Sequence, residues 1–292
     1  MTLSTPGQKF HDALSQEKPL QIVGVINAYV ALMAQQAGYR ALYVSGAGVA
    51  NSSYGLPDLA MTTLDNVLED VRRVTAVVDL PLLVDIDTGW GNALMIARTI
   101  KSMIRAGAAA IHIEDQIIEK RCGHRPGKRL VSTEIMCDRI KAAVDAKTDP
   151  NFVVMARCDG LAVEGFSATL ERAAAYCEAG ADMLFPEAFG SLEEYKKFKS
   201  VVNVPILANI TEFGKTPLFT REELANAGVD MALYPLTVNR AMNKAAFEVL
   251  QTLRLQGSQK GLLDQMQTRN ELYKVLDYEK YENAHAIGQK IN

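Results

Sequence analysis

The segment EDQIIEKRCGHRPGKR, residues 114–129, places one cysteine, Cys122, among Lys, Arg and His side chains. Nearby cations favour the thiolate form of a cysteine, so Arg121, His124 and Arg125 would prepare Cys122 to exchange a proton. The same cations would attract a substrate that carries several negative charges. These residues predict a thiol that works as an acid or base beside a polyanionic substrate.

Other interpretations of this segment are weaker. Cys122 and His124 are only two ligands, and the sequence has no matching pair elsewhere to complete a zinc site. A cysteine–histidine hydrolase is disfavoured because so many cations suit a charged anion better than a peptide. A basic loop that is merely solvated remains the alternative. Gly123 and Gly127 would let the segment turn tightly and close over a ligand.

Carboxylates follow two other apolar stretches. In VDIDTGWG, residues 84–91, Asp85 and Asp87 are two positions apart, so their side chains share one face of a strand. Glu114 ends the next apolar stretch, two positions after His112. Oxygen ligands from neighbouring strand ends suit a hard divalent cation such as Mg²⁺. The alternative is that these carboxylates only cap the helices that follow.

Three arginines could recognise the substrate. Arg157 ends an apolar stretch, Arg240 follows the last one, and Arg269 lies further toward the C-terminus. An arginine fork binds a carboxylate through two parallel hydrogen bonds. Each of these arginines could instead form an ordinary surface ion pair.

These side chains need a framework that brings strand ends together. The pair Ala-Gly recurs before four apolar runs, which start at residues 37, 106, 179 and 227. Further continuous apolar runs are LQIVGVI (20–26), PLLVDID (81–87), FVVMARCD (152–159) and VPILAN (204–209). Eight strands without polar alternation, separated by stretches with helical periodicity, predict a closed (β/α)₈ barrel. An open doubly wound sheet is the alternative, but no G-x-G-x-x-G follows the first strand.

About a fifth of the chain lies beyond the eighth predicted strand. Residues 238–257 predict a helix that closes the barrel, and residues 261–284 predict a further continuous helix. That helix has no ninth strand to cover, so its apolar side chains need another partner, such as a neighbouring subunit. We expect one domain over residues 1–292, with a C-terminal extension over roughly 258–292.

Composition excludes several classes of protein. The chain has 292 residues, of which 31 are basic and 34 acidic, so nucleic-acid binding has no support from overall charge. The first residues lack the pattern of a signal peptide, and no run approaches the roughly 20 apolar residues that span a bilayer. The four cysteines form no C-x-x-C pair, which favours a reducing cytoplasm.

Several motifs together resemble the isocitrate lyase / phosphoenolpyruvate mutase superfamily. They are KRCGH (120–124), VDIDTGWG (84–91), HIEDQ (112–116), MARCD (155–159), LFPEA (184–188) and LANITEFG (207–214). The resemblance is nearest to the bacterial branch that cleaves 2-methylisocitrate, and KRCGH is typical of the lyases of this group. It implies a β/α barrel whose displaced eighth helix is exchanged between subunits, in dimers that pair into a homotetramer. It also implies Mg²⁺ and the cleavage of (2S,3R)-2-methylisocitrate to pyruvate and succinate in the methylcitrate cycle.

The resemblance also assigns roles to residues of this chain. Asp85 and Asp87 would hold Mg²⁺, with Asp58 and Glu114 in its outer shell. The substrate site would comprise Ser45, Gly46, Ala47, Cys122, Gly123, His124, Arg157, Glu187, Asn209, Ile210, Thr211, Arg240 and Arg269. Phe185 and Leu233 would line the space for the substrate's methyl group. Two motifs depart from the family pattern. Ala47 replaces a usual glycine, and Arg157-Cys158-Asp159-Gly160 stands where relatives have Arg-Thr-Asp-Ala.

The implied reaction is a retro-aldol cleavage. The substrate's alcohol loses a proton, a step for which Tyr43 is the candidate, and the carbon–carbon bond breaks. Arg157, Arg240 and the basic segment would stabilise the resulting aci-carboxylate of succinate, and Cys122 would protonate it. The alternatives are an isocitrate lyase, an oxaloacetate-type decarboxylase of the same superfamily, and a barrel that only binds a dicarboxylate.

Overall fold

Eight parallel strands close into a barrel in the computed structural model, which describes residues 4–289. The strands are β1 (Leu20–Gly24), β2 (Ala41–Val44), β3 (Leu82–Asp85), β4 (Ala110–Glu114), β5 (Val153–Cys158), β6 (Met183–Pro186), β7 (Leu207–Asn209) and β8 (Met231–Tyr234). Their order is β6-β5-β4-β3-β2-β1-β8-β7, and a parallel bridge between Leu184 and Ile206 joins β6 to β7. All eight predicted strands are confirmed, and this closure excludes the open doubly wound sheet.

Helices alternate with the strands and surround them. They are α1 (Pro6–Gln16), α2 (Ala28–Gln36), α3 (Gly46–Gly48), α4 (Leu64–Thr75), α5 (Ala93–Arg105), α6 (Thr133–Asp145), α7 (Leu161–Glu164), α8 (Phe166–Glu178), α9 (Leu192–Val201), α10 (Arg221–Asn226), α11 (Thr237–Gln256), α12 (Arg269–Leu276) and α13 (Tyr278–Gln289). A π-helical turn, Val49–Ser53, follows α3, and a 3₁₀ turn, Lys260–Gln265, follows α11. No helix within residues 4–289 combines the length and the apolar character that crossing a membrane requires.

Local sequence signals explain where these helices begin and end. Thr63 accepts a hydrogen bond from the backbone N–H of Asn66, whose side chain bonds back to Thr63, so this capping box starts α4. The glycines of the four recurring Ala-Gly pairs all take the left-handed conformation that ends a helix, with φ of 89° at Gly38, 87° at Gly107, 101° at Gly180 and 78° at Gly228. The short turns that result deliver the chain directly into the next strand.

Two layers of apolar side chains hold the barrel together. The larger layer lies between the strands and the surrounding helices. The smaller layer fills the interior and includes Phe10 of α1, which is fully buried, together with Tyr43, Phe185 and Leu233. Because the interior is packed, only the carboxyl ends of the strands are free to form a site.

The C-terminal helices differ from the sequence expectation in two ways. Asn239 is the only buried residue of α11, so within this chain α11 stands away from the barrel and does not close it. Residues 261–284 are not one helix, because a Thr268–Glu271 capping box starts α12 and Asp277 ends it in the left-handed conformation. The ends of the predicted single domain, residues 1–3 and 290–292, lie outside the described residues.

Candidate active site at the carboxyl ends of the strands

The carboxyl ends of the strands surround one cavity, which we call the rim cavity. Fourteen residues predicted for the site line it: Tyr43, Ser45, Ala47, Asp58, Asp85, Cys122, Gly123, His124, Arg157, Phe185, Glu187, Asn209, Thr211 and Arg240. Gly46, Asp87 and Glu114 contact residues that line it. Residues that are up to 197 positions apart in sequence, such as Tyr43 and Arg240, therefore meet at one place.

Asp85 and Asp87 are held by the backbone around them. The N–H groups of Gly46 and Asp87 donate to the two oxygens of Asp85, at 3.1 and 3.0 Å. A side chain on Gly46 would bring its Cβ to 3.0 Å from the Asp85 carboxylate, so Asp85 would have to move by a few tenths of an ångström to accept one. Asp87 itself has a left-handed backbone with φ of 49°, which turns the chain sharply after β3.

Lys120 is a site residue that the sequence analysis did not single out. Its ammonium lies 2.8 Å from Asp87 Oδ1 and also pairs with Asp58. Burial raises the pKa of Asp87 to about 6, and Asp85 and Asp58 add to this effect while Lys120 opposes it. Lys120 is the first residue of KRCGH, so the motif does contain it. The spacing of the motif does not show that its side chain reaches the carboxylates.

The carboxylates at this edge fit a hard divalent cation. Among the described residues, no group of three His, Cys, Asp or Glu side chains forms a ready-made metal site. The set nonetheless includes Asp58, Asp85, Asp87 and Glu114 against the single ammonium of Lys120, and Glu114 Oε1 is buried without a hydrogen-bond partner. A cation such as Mg²⁺ needs only one or two protein carboxylates when water and substrate supply its other oxygens.

The segment over residues 116–130, which we call the cysteine loop, folds over the rim cavity. Its base is closed by a hydrogen bond from Ile117 N–H to the Arg129 carbonyl, at 3.0 Å. Cys122 is half-buried and lines the cavity. A side chain on Gly123 would overlap Glu187 and the Arg157 guanidinium, so only glycine lets the loop approach this closely.

His124 fixes the tip of the cysteine loop. Its Nδ1 accepts a hydrogen bond from the backbone N–H of Lys215, at 2.9 Å. The ring proton therefore lies on Nε2, which is 3.1 Å from Glu187 Oε1. His124 therefore joins the loop tip to Glu187 on one side and to the backbone of Lys215 on the other.

Arg157 is buried among carboxylates. Its Nε donates to Asp159 Oδ2 at 2.9 Å and lies 3.4 Å from Glu114 Oε2, and one terminal nitrogen is 3.5 Å from Glu187 Oε1. Its guanidinium also stacks over the Phe185 ring, at 5.1 Å from the centroid. Burial alone would raise the pKa of Asp159, but Arg157 and Lys128 outweigh it and hold that pKa at about 2.

Tyr43 and His112 form a buried pair at the floor of the cavity. The Tyr43 hydroxyl lies 2.9 Å from His112 Nε2. Burial raises the pKa of Tyr43 well above its usual range and lowers the pKa of His112 to about 4. Both shifts favour the neutral form of each group, and a role for Tyr43 in removing the proton of the substrate stays a prediction.

Three predicted residues lie elsewhere. Leu233 is fully buried in the barrel interior and does not line the rim cavity. The Ile210 side chain packs in the outer layer of the core, so it has only backbone atoms to offer. Arg269 is exposed at the start of α12 and is absent from the cavity lining of this chain. Within one subunit, the side chains of these three residues do not line the rim cavity.

The chain is similar to known proteins over nearly its whole length. Residues 10–254 match the family model of phosphoenolpyruvate phosphomutase. The chain is 63% identical to the 2-methylisocitrate lyase of Escherichia coli (strain K12), over 97% of this chain and 96% of that protein. A crystal structure of 2,3-dimethylmalate lyase superposes with a TM-score of 0.89 at 33% identity, covering 97% and 96% of the two chains. The complex of phosphonopyruvate hydrolase with oxalate and Mg²⁺ superposes with a TM-score of 0.85 at 29% identity, covering 97% and 98%.

Proposed function

The chain belongs to the phosphoenolpyruvate phosphomutase family, and from this premise we propose that its rim cavity cleaves 2-methylisocitrate to pyruvate and succinate. The protein is a carbon–carbon lyase that acts on a small-molecule substrate. The observation that carries the assignment is the place of Cys122, which lines the same cavity as Arg157 and Asp85. A lyase needs an acid, an anion-binding group and a metal-binding carboxylate around one substrate, and these three side chains supply them.

Asp85 and Asp87 would hold Mg²⁺, and Asp58 and Glu114 would surround it. The fit rests on the grouping of these carboxylates near the single ammonium of Lys120 and on the buried free oxygen of Glu114. The Mg²⁺ in the complex of phosphonopyruvate hydrolase supports this choice of ion. When bound, the cation supplies positive charge that favours loss of the alcohol proton of the substrate.

The side chains of this protein divide the remaining work. Ser45, Gly46 and Ala47 lie at the end of β2 and would receive the pyruvate-like end of the substrate. Arg157 would bind the succinate-like end, where negative charge develops as the carbon–carbon bond breaks. The bonding electrons remain on the α-carbon of that fragment, and the Cys122 thiol donates its proton there.

The direct test is a product assay. The protein is incubated with Mg²⁺ and either 2-methylisocitrate or isocitrate, and pyruvate, glyoxylate and succinate are quantified. Metal-dependent release of pyruvate and succinate from 2-methylisocitrate is expected. Equal rates on both substrates would make the protein an isocitrate lyase, and no turnover of either would leave a barrel that binds dicarboxylates.

We also propose a homotetramer built from helix-exchanged dimers. The support is α11, which leaves Phe247, Leu250, Leu253 and Leu255 exposed within this chain. Such a surface needs cover, and exchange of this helix between subunits would provide it. Arg269 of one subunit would then reach the rim cavity of the neighbouring subunit. Four free thiols are consistent with a cytoplasmic enzyme.

A further inference from the structure

We propose that Lys128 is a positioning residue for the cleavage reaction, because its ion pair with Asp159 fixes the cysteine loop against the strand that carries Arg157. This inference rests on the proposed function of the rim cavity. It concerns a lysine six positions after Cys122 that does not line the cavity itself.

The pair is fully buried. Lys128 Nζ donates to Asp159 Oδ1 at 2.8 Å, and the two side chains are 1% and 0% exposed. The other oxygen of Asp159 accepts from Arg157 Nε at 2.9 Å. A backbone hydrogen bond from Asp159 N–H to Asp115 Oδ1, also 2.9 Å, fixes Asp159 in turn. One carboxylate thus ties together the second arm of the cysteine loop and the arginine on β5.

Lys128 is not needed merely to close the loop. The backbone hydrogen bond between Ile117 and Arg129 already closes the base of the loop. The next side chain, Arg129, is 72% exposed, and its nearest acidic group, Glu119, is 3.9 Å away, so this ion pair is long and solvated. Burial of an ammonium carries a free-energy penalty that a surface residue would avoid. What the buried pair adds is a fixed position of the loop relative to β5.

That position matters because the loop fits the cavity wall closely. Gly123 lies directly against Arg157 and Glu187, where even a methyl group would overlap. His124 holds the tip to Glu187. If the second arm were released, the loop could lift from Arg157 and carry Cys122 away from the carbon that it must protonate. Small displacements of a catalytic group reduce turnover strongly.

Lys128→Met tests this idea and should fold, because Asp159 keeps Arg157 as its counter-ion. Arg129→Met is the matched control, since it removes one positive charge from the same arm at an exposed position. Both variants and the wild type are prepared with Mg²⁺, and the alkylation of each cysteine by iodoacetamide is followed by peptide mass spectrometry. Cys137 and Cys177 serve as half-buried references, and the buried Cys158 reports general loosening of the barrel.

In Lys128→Met we expect the alkylation rate of Cys122 to rise by about tenfold while Cys158 stays unreactive, because only the loop opens. We also expect kcat for 2-methylisocitrate to fall by about tenfold with KM changed by less than about threefold, as for a group that acts in the transition state. Arg129→Met should change each quantity by less than about twofold.

Two results would overturn the proposal. One is a Lys128→Met variant whose Cys122 alkylation and kcat both stay within about twofold of the wild type. The other is a rise of Cys158 alkylation in parallel with Cys122, which would make Lys128 a stabilising residue only. If no protein turns over 2-methylisocitrate, the proposed function fails, but the alkylation pattern still decides whether Lys128 positions the loop.

Discussion

The rim cavity has two halves whose carboxylates are balanced differently. The acidic half contains Asp58, Asp85, Asp87 and Glu114 with Lys120 as its one ammonium. Burial raises the pKa of Asp87 to about 6 and that of Glu114 well above its usual range. Arg157 lies 3.4 Å from Glu114, and His112, Lys120 and Arg157 outweigh burial and lower the pKa of Asp85. The shortage of positive charge in this half is therefore at Asp87 and Glu114.

The arginine half contains Asp159 and Glu187 with Arg157, Lys128 and His124. Burial would raise the pKa of Glu187 too, but Arg157 and the hydrogen bond from His124 lower it. The pKa of Asp159 is held at about 2 in the same way. Here the folded chain supplies every counter-ion that its carboxylates need.

The difference shows which buried charges the folded chain balances with its own side chains. The arginine half is assembled by the protein and is ready to hold an anion in place. The acidic half crowds four carboxylates and keeps a deficit of positive charge. A divalent cation would remove that deficit. Substitutions should therefore affect the two halves differently. A change in the acidic half should lower activity first, and a change in the arginine half should lower stability first.

Asp87→Ala should have the largest effect and should separate activity from stability. Loss of a metal ligand is expected to lower kcat/KM by roughly 10³-fold, because a bound cation contributes several kcal/mol of charge stabilisation. The melting temperature should change little, because relief of carboxylate crowding offsets the strain of alanine in the left-handed backbone conformation of this position and the lost pairing with Lys120. The measurements are a Mg²⁺ titration of activity and a thermal melt.

Glu171→Ala, an exposed change on α8, is the control for Asp87→Ala and should leave both quantities unchanged. If Asp87→Ala melted early while the Mg²⁺ dependence of its activity stayed normal, Asp87 would be a residue that shapes the turn after β3 and not a metal ligand.

Cys122→Ser tests the group that lies between the halves. Serine is a much weaker acid than a thiol, so kcat should fall by roughly 10²-fold or more. Both halves remain intact, so the substrate should still raise the melting temperature. Cys137→Ser on α6 is the control. Retention of more than about a tenth of the wild-type kcat would exclude Cys122 as the acid.

Asp159→Asn tests the balance of the arginine half through stability. Arg157, Lys128 and Asp115 face this carboxyl, whose pKa falls from 3.8 to about 2 on folding. A depressed pKa stabilises the fold above pH 3.8, and this stabilisation is lost as the pH falls toward 2. At pH 7 the variant should lose about 2 kcal/mol of unfolding free energy relative to the wild type.

The measurement is urea unfolding of both proteins from pH 7 down to about pH 3. The gap between them should narrow only below about pH 4, where Asp159 of the unfolded wild type becomes protonated. A gap that is absent at pH 7 would mean that Asp159 contributes no charge stabilisation.

Sequence reasoning succeeded where the signal is local. The eight strands were predictable because each is a short continuous apolar run, and the Ala-Gly pairs mark helix ends that depend on one left-handed residue. The break in the C-terminal helical region was missed because Asp277 ends α12 without a glycine. The left-handed conformation of Asp277 depends on tertiary context and not on the helix propensity of its sequence.

The candidate site was predictable as a set of positions but not as a set of contacts. Spacing indicated that Asp85 and Asp87 share a face, yet it could not show that Lys120 reaches Asp87 across 33 residues of chain. Lys128 was likewise counted as loop charge, although its long, flexible side chain is buried on Asp159. Contacts of this kind depend on the closed barrel and on the position of the loop.

Phe185 lies at the boundary of the two halves and tests the smallest effect. Its ring contacts His112 on one side, at 5.1 Å between ring centroids, and the Arg157 guanidinium on the other. It lines the rim cavity, and the sequence analysis predicts that it contacts the methyl group of the substrate. A packed methyl group is worth about 10- to 200-fold in discrimination. The wild type should therefore prefer 2-methylisocitrate over isocitrate by at least about tenfold in kcat/KM.

Phe185→Trp should shrink this ratio toward one, because the indole would fill the space of the methyl group. Leu233→Met, in the barrel interior, should keep the wild-type ratio, and each variant serves as its own control because both substrates are assayed on the same preparation. A ratio that changed in Leu233→Met but not in Phe185→Trp would place the methyl group deeper in the barrel than the cavity lining indicates.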